Sequence, residues 1–429
     1  MDLLHLITRM KIPLLARCAI PEDLAEVTSI GEEEPLRGTG VRRAAVDAVW
    51  RRVEDFYRTG VHPAIQICIR RSGRVVLSRT LGHASGNAPD DDAETPKELA
   101  TNETPFCIYS AAKAITAMVI HKLDEQRVFH LEDRVCEYIP EFGRHGKQWI
   151  TLRHVLAHRA GIPSLPPETI DLDLLGHPDR VLEVLCDARP RTRPGRLLAY
   201  HAISGGFVLG ELVRRATGSD IRTILAREIC EPLGFRWMNY GVADPDIERV
   251  AVNAFTGPPV PPTFAKLLRR SLGASVREAV ELSNDPRFLR GIIPSANIVS
   301  TAEELSAFYQ CLLDGGKRNG VRVFDPRTIQ HATSEQSFRE IDLTLGLPIR
   351  YGLGPMLGDD PIGLFGPRTA HAFGHIGFTN IWSWADPERG LAVALLTSGK
   401  PILSLHAIRL VQLIIEINRA FPRVATPRD

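Results

Sequence analysis

The sequence predicts a mixed α/β protein of the α+β kind: an antiparallel sheet flanked by helices, with an all-helical domain inserted into it. Three observations carry this reading. Runs rich in β-branched residues lie near both ends, "PAIQICIRRSGRVVLSRTLG" from position 63 and "AFGHIGFTNIWSWADPERGLAVALLTSG" up to position 399. Between them, from 111 to about 290, apolar residues recur mostly at helical spacing. Strands at the termini around a helical middle favour one sheet assembled from both ends. The expected division is an N-terminal extension 1–43, a sheet domain from 44–110 and 291–429, and an inserted helical domain 111–290.

Taken in order, "AAVDAVWRRVEDFYRTG" (44–60) places Val46, Val49, Val53 and Phe56 on one helical stripe and stops at Gly60. The next two β-rich runs flank "RRSGR" and read as a hairpin. The polar stretch 86–104 is expected to be a loop. "TLRHVLAHRAGIP" and "AISGGFVLGELVRRATG" read as helices closed by glycine, and the Pro-rich "TGPPVPPT" (256–263) breaks the pattern. Beyond it Leu267, Leu268, Leu272, Val276 and Val280 form an apolar stripe, so 256–285 is expected to act as a lid over a pocket. The run 373–399 reads as two strands joined by "DPERG", and "LHAIRLVQLIIEINRAF" as the last helix.

Bulk properties narrow the function. Of 429 residues 44% are hydrophobic and 24% charged, and the net charge is +1, which gives no electrostatic case for nucleic acid as a partner. The seven cysteines stand singly without a C-x-x-C pair, as reduced thiols in a cytoplasmic chain do. His5, Arg9, Lys11 and Arg17 interrupt the apolar N-terminus, so neither a signal peptide nor stable membrane insertion is expected, although an amphipathic first segment leaves peripheral attachment open. His154 and His158 stand four apart without the glutamate that a zinc protease needs, "GLGPMLG" (352–358) lacks the spacing of a nucleotide loop, and Arg269 with Arg270 reads as a solvated face. No metal and no cofactor are expected.

The chemistry concentrates in "FCIYSAAKAITAMVIHKL" (106–123), which sets Ser110 and Lys113 three apart at a helix start. Only 8 of the 52 basic residues are lysine, and with 19 serines chance alone gives roughly 0.35 such pairs, so the pattern needs its context. Positions three apart share a helix face, and a lysine buried beside a serine can lose its proton near neutral pH and serve as a base. The free N–H groups at a helix start suit an oxyanion.

With "YSAAK" (109–113), "PGRLLAYHAISGGFVLGELVRRATG" (194–218) and "FGHIGFTNIWSWADPERGLAVALLTSG" (373–399) in this order, the chain resembles the serine β-lactamase and penicillin-binding-protein superfamily, in its class C and esterase branch. The resemblance runs from about residue 45 to 415 and implies the β-lactamase-like fold. It implies Ser110 as nucleophile, Lys113 as its base and Tyr200 as a shared proton carrier whose acidity a nearby cation would raise. It also implies an oxyanion hole from the backbone N–H groups of Ser110 and Phe378, with His375, Ile376, Gly377 and Ala202 contacting substrate. Two departures stand out: Ala202 replaces the asparagine two residues after the tyrosine, and His375 and Ile376 replace the lysine and hydroxyl of the third element. A β-lactam would lose the partners of its amide and carboxylate there, whereas an ester needs neither. The implied activity is hydrolysis of small-molecule carboxylic esters of short to medium acyl chains. The alternatives are acyl transfer from the same acyl-enzyme, a lactamase or D-Ala-D-Ala peptidase-like activity, and a non-catalytic binding protein that keeps the fold.

Overall fold

The computed structural model describes residues 15–424 apart from 93, 165–171, 263, 264, 267, 270–273, 339 and 403. The first fourteen residues, and Leu267, Arg270 and Leu272 of the expected lid and solvated face, lie outside the described residues.

An eight-stranded antiparallel sheet forms the centre, as the terminal β-rich runs predict. Its strands are β1 (Thr28–Ile30), β2 (Ala64–Arg71), β3 (Arg74–Ser85), β4 (Glu98–Leu99), β5 (Met356–Leu357), β6 (Phe373–Gly377), β7 (Ile381–Asp386) and β8 (Leu391–Thr397). Their order is β1-β3-β2-β8-β7-β6-β5, with β4 on β3, so the two ends of the chain meet where β8 pairs with β2. The β2–β3 hairpin turns at Ser72 and Gly73, both at positive φ (+50° and +87°), the backbone that a tight two-residue hairpin requires.

Alternation of side-chain size decides what covers each face. Ile65, Ile67 and Ile69 of β2, with Leu391, Val393 and Leu395 of β8, pack with α1 (Arg43–Tyr57) and the C-terminal α5 (His406–Ala420). The opposite positions, Ala64, Cys68, Ala392 and Ala394, are small and belong to the core shared with α4 (Ala302–Leu313), letting that helix lie close. Every residue of α2 (Ala112–Glu125) from Ala112 to His121 is buried, so the helix after Ser110 is enclosed on all sides. The helix α3 (Ser204–Thr217) ends on Gly218 at φ +73°.

Three local expectations change. The run 373–399 forms three strands, because Phe378–Asn380 makes an extra turn with Asn380 at φ +62°. The loop 86–104 contains the short strand β4. The helix expected through "TLRHVLAHRAGIP" spans only Leu152–Leu156, and His158 lies beyond it at φ +56°, so His154 and His158 do not share a helix. Among the described residues no helix is long and apolar enough to cross a membrane.

Candidate active site

Ser110 sits in a single 3₁₀ turn, Tyr109–Ala111, immediately ahead of α2. The turn is strained, since Tyr109 holds φ at +47° with a full side chain. That strain is held from three sides. The Tyr109 hydroxyl donates to Ser283 Oγ at 2.6 Å, its ring meets Phe378 at 5.7 Å, and the buried Lys400 Nζ lies 4.7 Å from the ring centre. Ser110 is thereby presented at the wall of a cavity, not as the N-cap of α2, which Ala111 provides.

Lys113 is 8% exposed, and its Nζ lies 3.1 Å from Ser110 Oγ and 3.0 Å from the Ser295 carbonyl. Burial without a carboxylate partner disfavours the ammonium and lowers its pKa to about 7. A neutral amine there can donate to Ser295 and keep its lone pair for the serine proton. Ser295 is itself fixed, its Oγ accepting from Gly206 N and donating to the Ile203 carbonyl.

Tyr200 lines the same cavity wall as Ser110, and Lys113 Nζ lies 4.8 Å from its ring centre. The expectation that a cation makes this phenol more acidic needs correction. Burial dominates and raises its pKa above the ordinary tyrosine value, the neighbouring Ser110 hydroxyl opposing only in part. Tyr200 is therefore an un-ionised donor at neutral pH.

Two residues without a place at this site in the sequence reading, Asp342 and His158, the latter considered only as a metal ligand, hold Tyr200 in place. Asp342, fully buried, accepts from the backbone N–H groups of Tyr200, Thr344 and Leu345 through Oδ1 and from the Tyr351 hydroxyl through Oδ2. The His158 ring packs 4.8 Å from that of Tyr200 and 5.0 Å from that of Tyr351. Neither carried a local signal, because each reaches the site from a distant part of the chain.

The third element approaches edge-on. A Cβ on Gly377 would stand 2.4 Å from the Ile108 carbonyl oxygen, so only glycine lets β6 lie against the Ser110 turn. Beyond it, the N–H groups of Ser110 and Phe378 take no backbone hydrogen bond among the described residues. Ile376 and its cross-strand partner Trp382 face the cavity, as do Gly377, Phe378 and Ala202. His375 does not. Its fully buried ring points to the other side of the strand, 6.3 Å from the Tyr200 ring, where Nδ1 donates to the Ile376 carbonyl at 2.7 Å. Burial and the nearby Lys113 lower its pKa to about 3, so it is neutral at physiological pH and not placed to contact substrate.

The cavity has a volume of about 580 Å³. The helical region supplies Leu175, Phe207 and Phe288 among others, the 344–349 loop supplies Leu345 and Leu347, and β6 and β7 supply Ile376 and Trp382. Leu268, Ala279 and Leu282 show that the described part of 256–285 borders it too. Among the described residues, none that lines it is Asp, Glu, Lys, Arg or His.

The sequence profile of the family described as Beta-lactamase matches residues 49–412. The protein named Esterase/beta-lactamase LipL from Mycobacterium tuberculosis H37Rv is 32% identical over 305 residues, covering 67% of this chain and 68% of that one. A solved penicillin-binding-protein homolog from Caulobacter crescentus matches with a TM-score of 0.73 at 27% identity, over 89% of this chain and 99% of that one. A solved family VIII carboxylesterase shares the fold, with a TM-score of 0.73 at 24% identity over 87% and 98% of the two chains.

Proposed function

The chain belongs to the Beta-lactamase family, in its esterase branch, and from that premise we propose that it hydrolyses neutral carboxylic esters of short to medium acyl chains through an acyl-enzyme on Ser110. Lys113 Nζ takes the proton as Ser110 Oγ bonds to the ester carbonyl carbon. The carbonyl oxygen becomes an oxyanion facing the N–H groups of Ser110 and Phe378. Collapse breaks the bond to the alcohol oxygen, which leaves as an alcohol after taking a proton from Tyr200 or the Lys113 ammonium. Water, giving its proton to the same pair, then attacks the acyl-enzyme and releases the acid.

One observation carries the substrate class. The serine opens onto a large cavity in which no described lining side chain is charged. A β-lactam or a peptide ending in D-alanine brings a carboxylate, which such a wall would leave unpaired, and burying an unpaired charge is costly. A neutral ester brings none. The spread of names among the relatives, esterase, lactamase and penicillin-binding-protein homolog, agrees with a common acyl-enzyme and differing acyl groups.

Labelling with a fluorophosphonate probe tests the core of this reading. The modified peptide, located by mass spectrometry, is expected to carry the label on Ser110, and Lys113→Ala should slow labelling by about 10²-fold or more. Labelling elsewhere, or none on folded protein, would favour the non-catalytic alternative.

A further inference from the structure

We propose that the rim of the cavity mouth is a docking surface for an anionic lipid bilayer, so that the enzyme takes its ester from a membrane or lipid particle. Leu347 marks the rim, since it both lines the cavity and is 54% exposed. In the same loop Ile341 and Leu343 are each 60% exposed. They flank Asp342, whose four hydrogen bonds fix the loop, so the two apolar side chains are held outward by a rigid scaffold. Water-exposed apolar groups held at a cavity mouth mark an interaction site.

The charges beside the loop select the partner. Leu343 N donates to the Leu198 carbonyl, which ties the loop to the segment "ARPRTRPGRLL". Arg159 joins the two again, accepting Gly195 N on its carbonyl, donating to the Gln336 carbonyl and pairing with Glu340. In that segment Arg189, Arg191, Arg193 and Arg196 are all exposed, and none makes an ion pair among the described residues. Three carboxylates of the neighbouring loops are paired, Glu340 with Arg159, and Glu335 and Asp359 with Arg350, while Asp360 beside Asp359 is not among the ion pairs of the described residues. In a chain of net charge +1 this leaves a local excess of guanidinium groups beside exposed leucine and isoleucine. That is the chemistry of an anionic headgroup layer over acyl chains. A second copy of the chain would set these arginines against each other.

The inference adds to the ester reading only the source of the substrate, and its test is independent of turnover. The full-length protein, and its Ser110→Ala form, are spun with vesicles of phosphatidylcholine alone and of phosphatidylcholine with phosphatidylglycerol. Both forms should partition onto the anionic vesicles and far less onto the neutral ones, with partition falling as salt rises. Each arginine near such a surface is worth roughly five-fold, so Arg191→Gln with Arg193→Gln should weaken partition on the order of twenty-fold. Ile341→Ser with Leu343→Ser should weaken it by a comparable amount, and both double variants should keep the parent's Tm and its activity on a water-soluble ester. The proposal is overturned by an absence of partition, by equal partition onto neutral vesicles, or by partition that survives both double variants. Lipid-free self-association abolished by the Ile341 and Leu343 changes would also overturn it, giving the patch to a second copy. Loss of ester turnover with partition intact would reject the ester reading alone.

Discussion

In the proposed mechanism the Ser110–Lys113 pair makes the pH dependence of the reaction a property of one amine. Lysine is ordinarily charged at neutral pH, and burial brings Lys113 to about 7. Only its neutral form can take the serine proton, so the base is lost as pH falls through about 7 and fully present above it. His375, at about 3, stays neutral through that window, and Tyr200, raised by burial, stays protonated as the acid the leaving group needs. The expected kcat/KM profile for a p-nitrophenyl ester therefore rises through an apparent pKa near 7 and then levels, and His375→Gln leaves that limb in place. A limb that moves or vanishes in His375→Gln would hand the titration to the histidine. The pair was legible because its spacing is local and lysine is rare here. His158, Ser295 and Asp342 were not, since their partners lie tens to hundreds of positions away and no local pattern reports them.

At the scale of elements, the site is a contact between β6 and the turn before α2, and two residues set its tolerance. Gly377→Ala would drive a methyl into the Ile108 carbonyl at 2.4 Å, backbone against backbone, with no flexible side chain to yield. Overpacking of this kind costs about 1–3 kcal/mol, and the shift also displaces the Phe378 N–H from the oxyanion. Urea unfolding should show that loss, while kcat falls by about 10²-fold or more with KM changed much less. Retained kcat would remove Phe378 from the proposed oxyanion hole. Asp342→Ala leaves three amides of residues 200, 344 and 345 without their acceptor, and stability should fall by about 3 kcal/mol. Unfolding midpoints unchanged from the parent would contradict the anchoring role. The helices α1, α3 and α5 were readable from period and stop signals. The strand count in 373–399 was not, because the extra turn at Phe378–Asn380 contains neither glycine nor proline and is only three residues long between two β-rich stretches.

At the scale of the whole molecule the antiparallel sheet followed from the β-branched runs at the two ends of the chain, but the cavity could not be read in advance. Its wall is drawn from residues between Tyr109 and Ile402, each of which looks like ordinary core in its own stretch. Assembled, they make a space of about 580 Å³ whose described lining side chains are uncharged, and this predicts how rate should depend on the acyl chain. Each methylene moved from water to such a wall gains about 0.8 kcal/mol, roughly four-fold in kcat/KM at 1.4 kcal/mol per decade. Acetate esters use little of the volume. Across p-nitrophenyl acetate, butyrate, hexanoate and octanoate, kcat/KM should climb by up to about sixteen-fold per two carbons, then flatten when the chain meets the far wall. A chromogenic cephalosporin should be turned over slowly or not at all, because Ala202 and Ile376 leave its amide and carboxylate unpaired, at about 1–3 kcal/mol each. Acetate as the best ester would show that the acyl group does not enter the cavity. Cephalosporin hydrolysis rivalling the best ester would return the site to lactam chemistry, since the carboxylate would then have found a partner that the apolar lining does not offer.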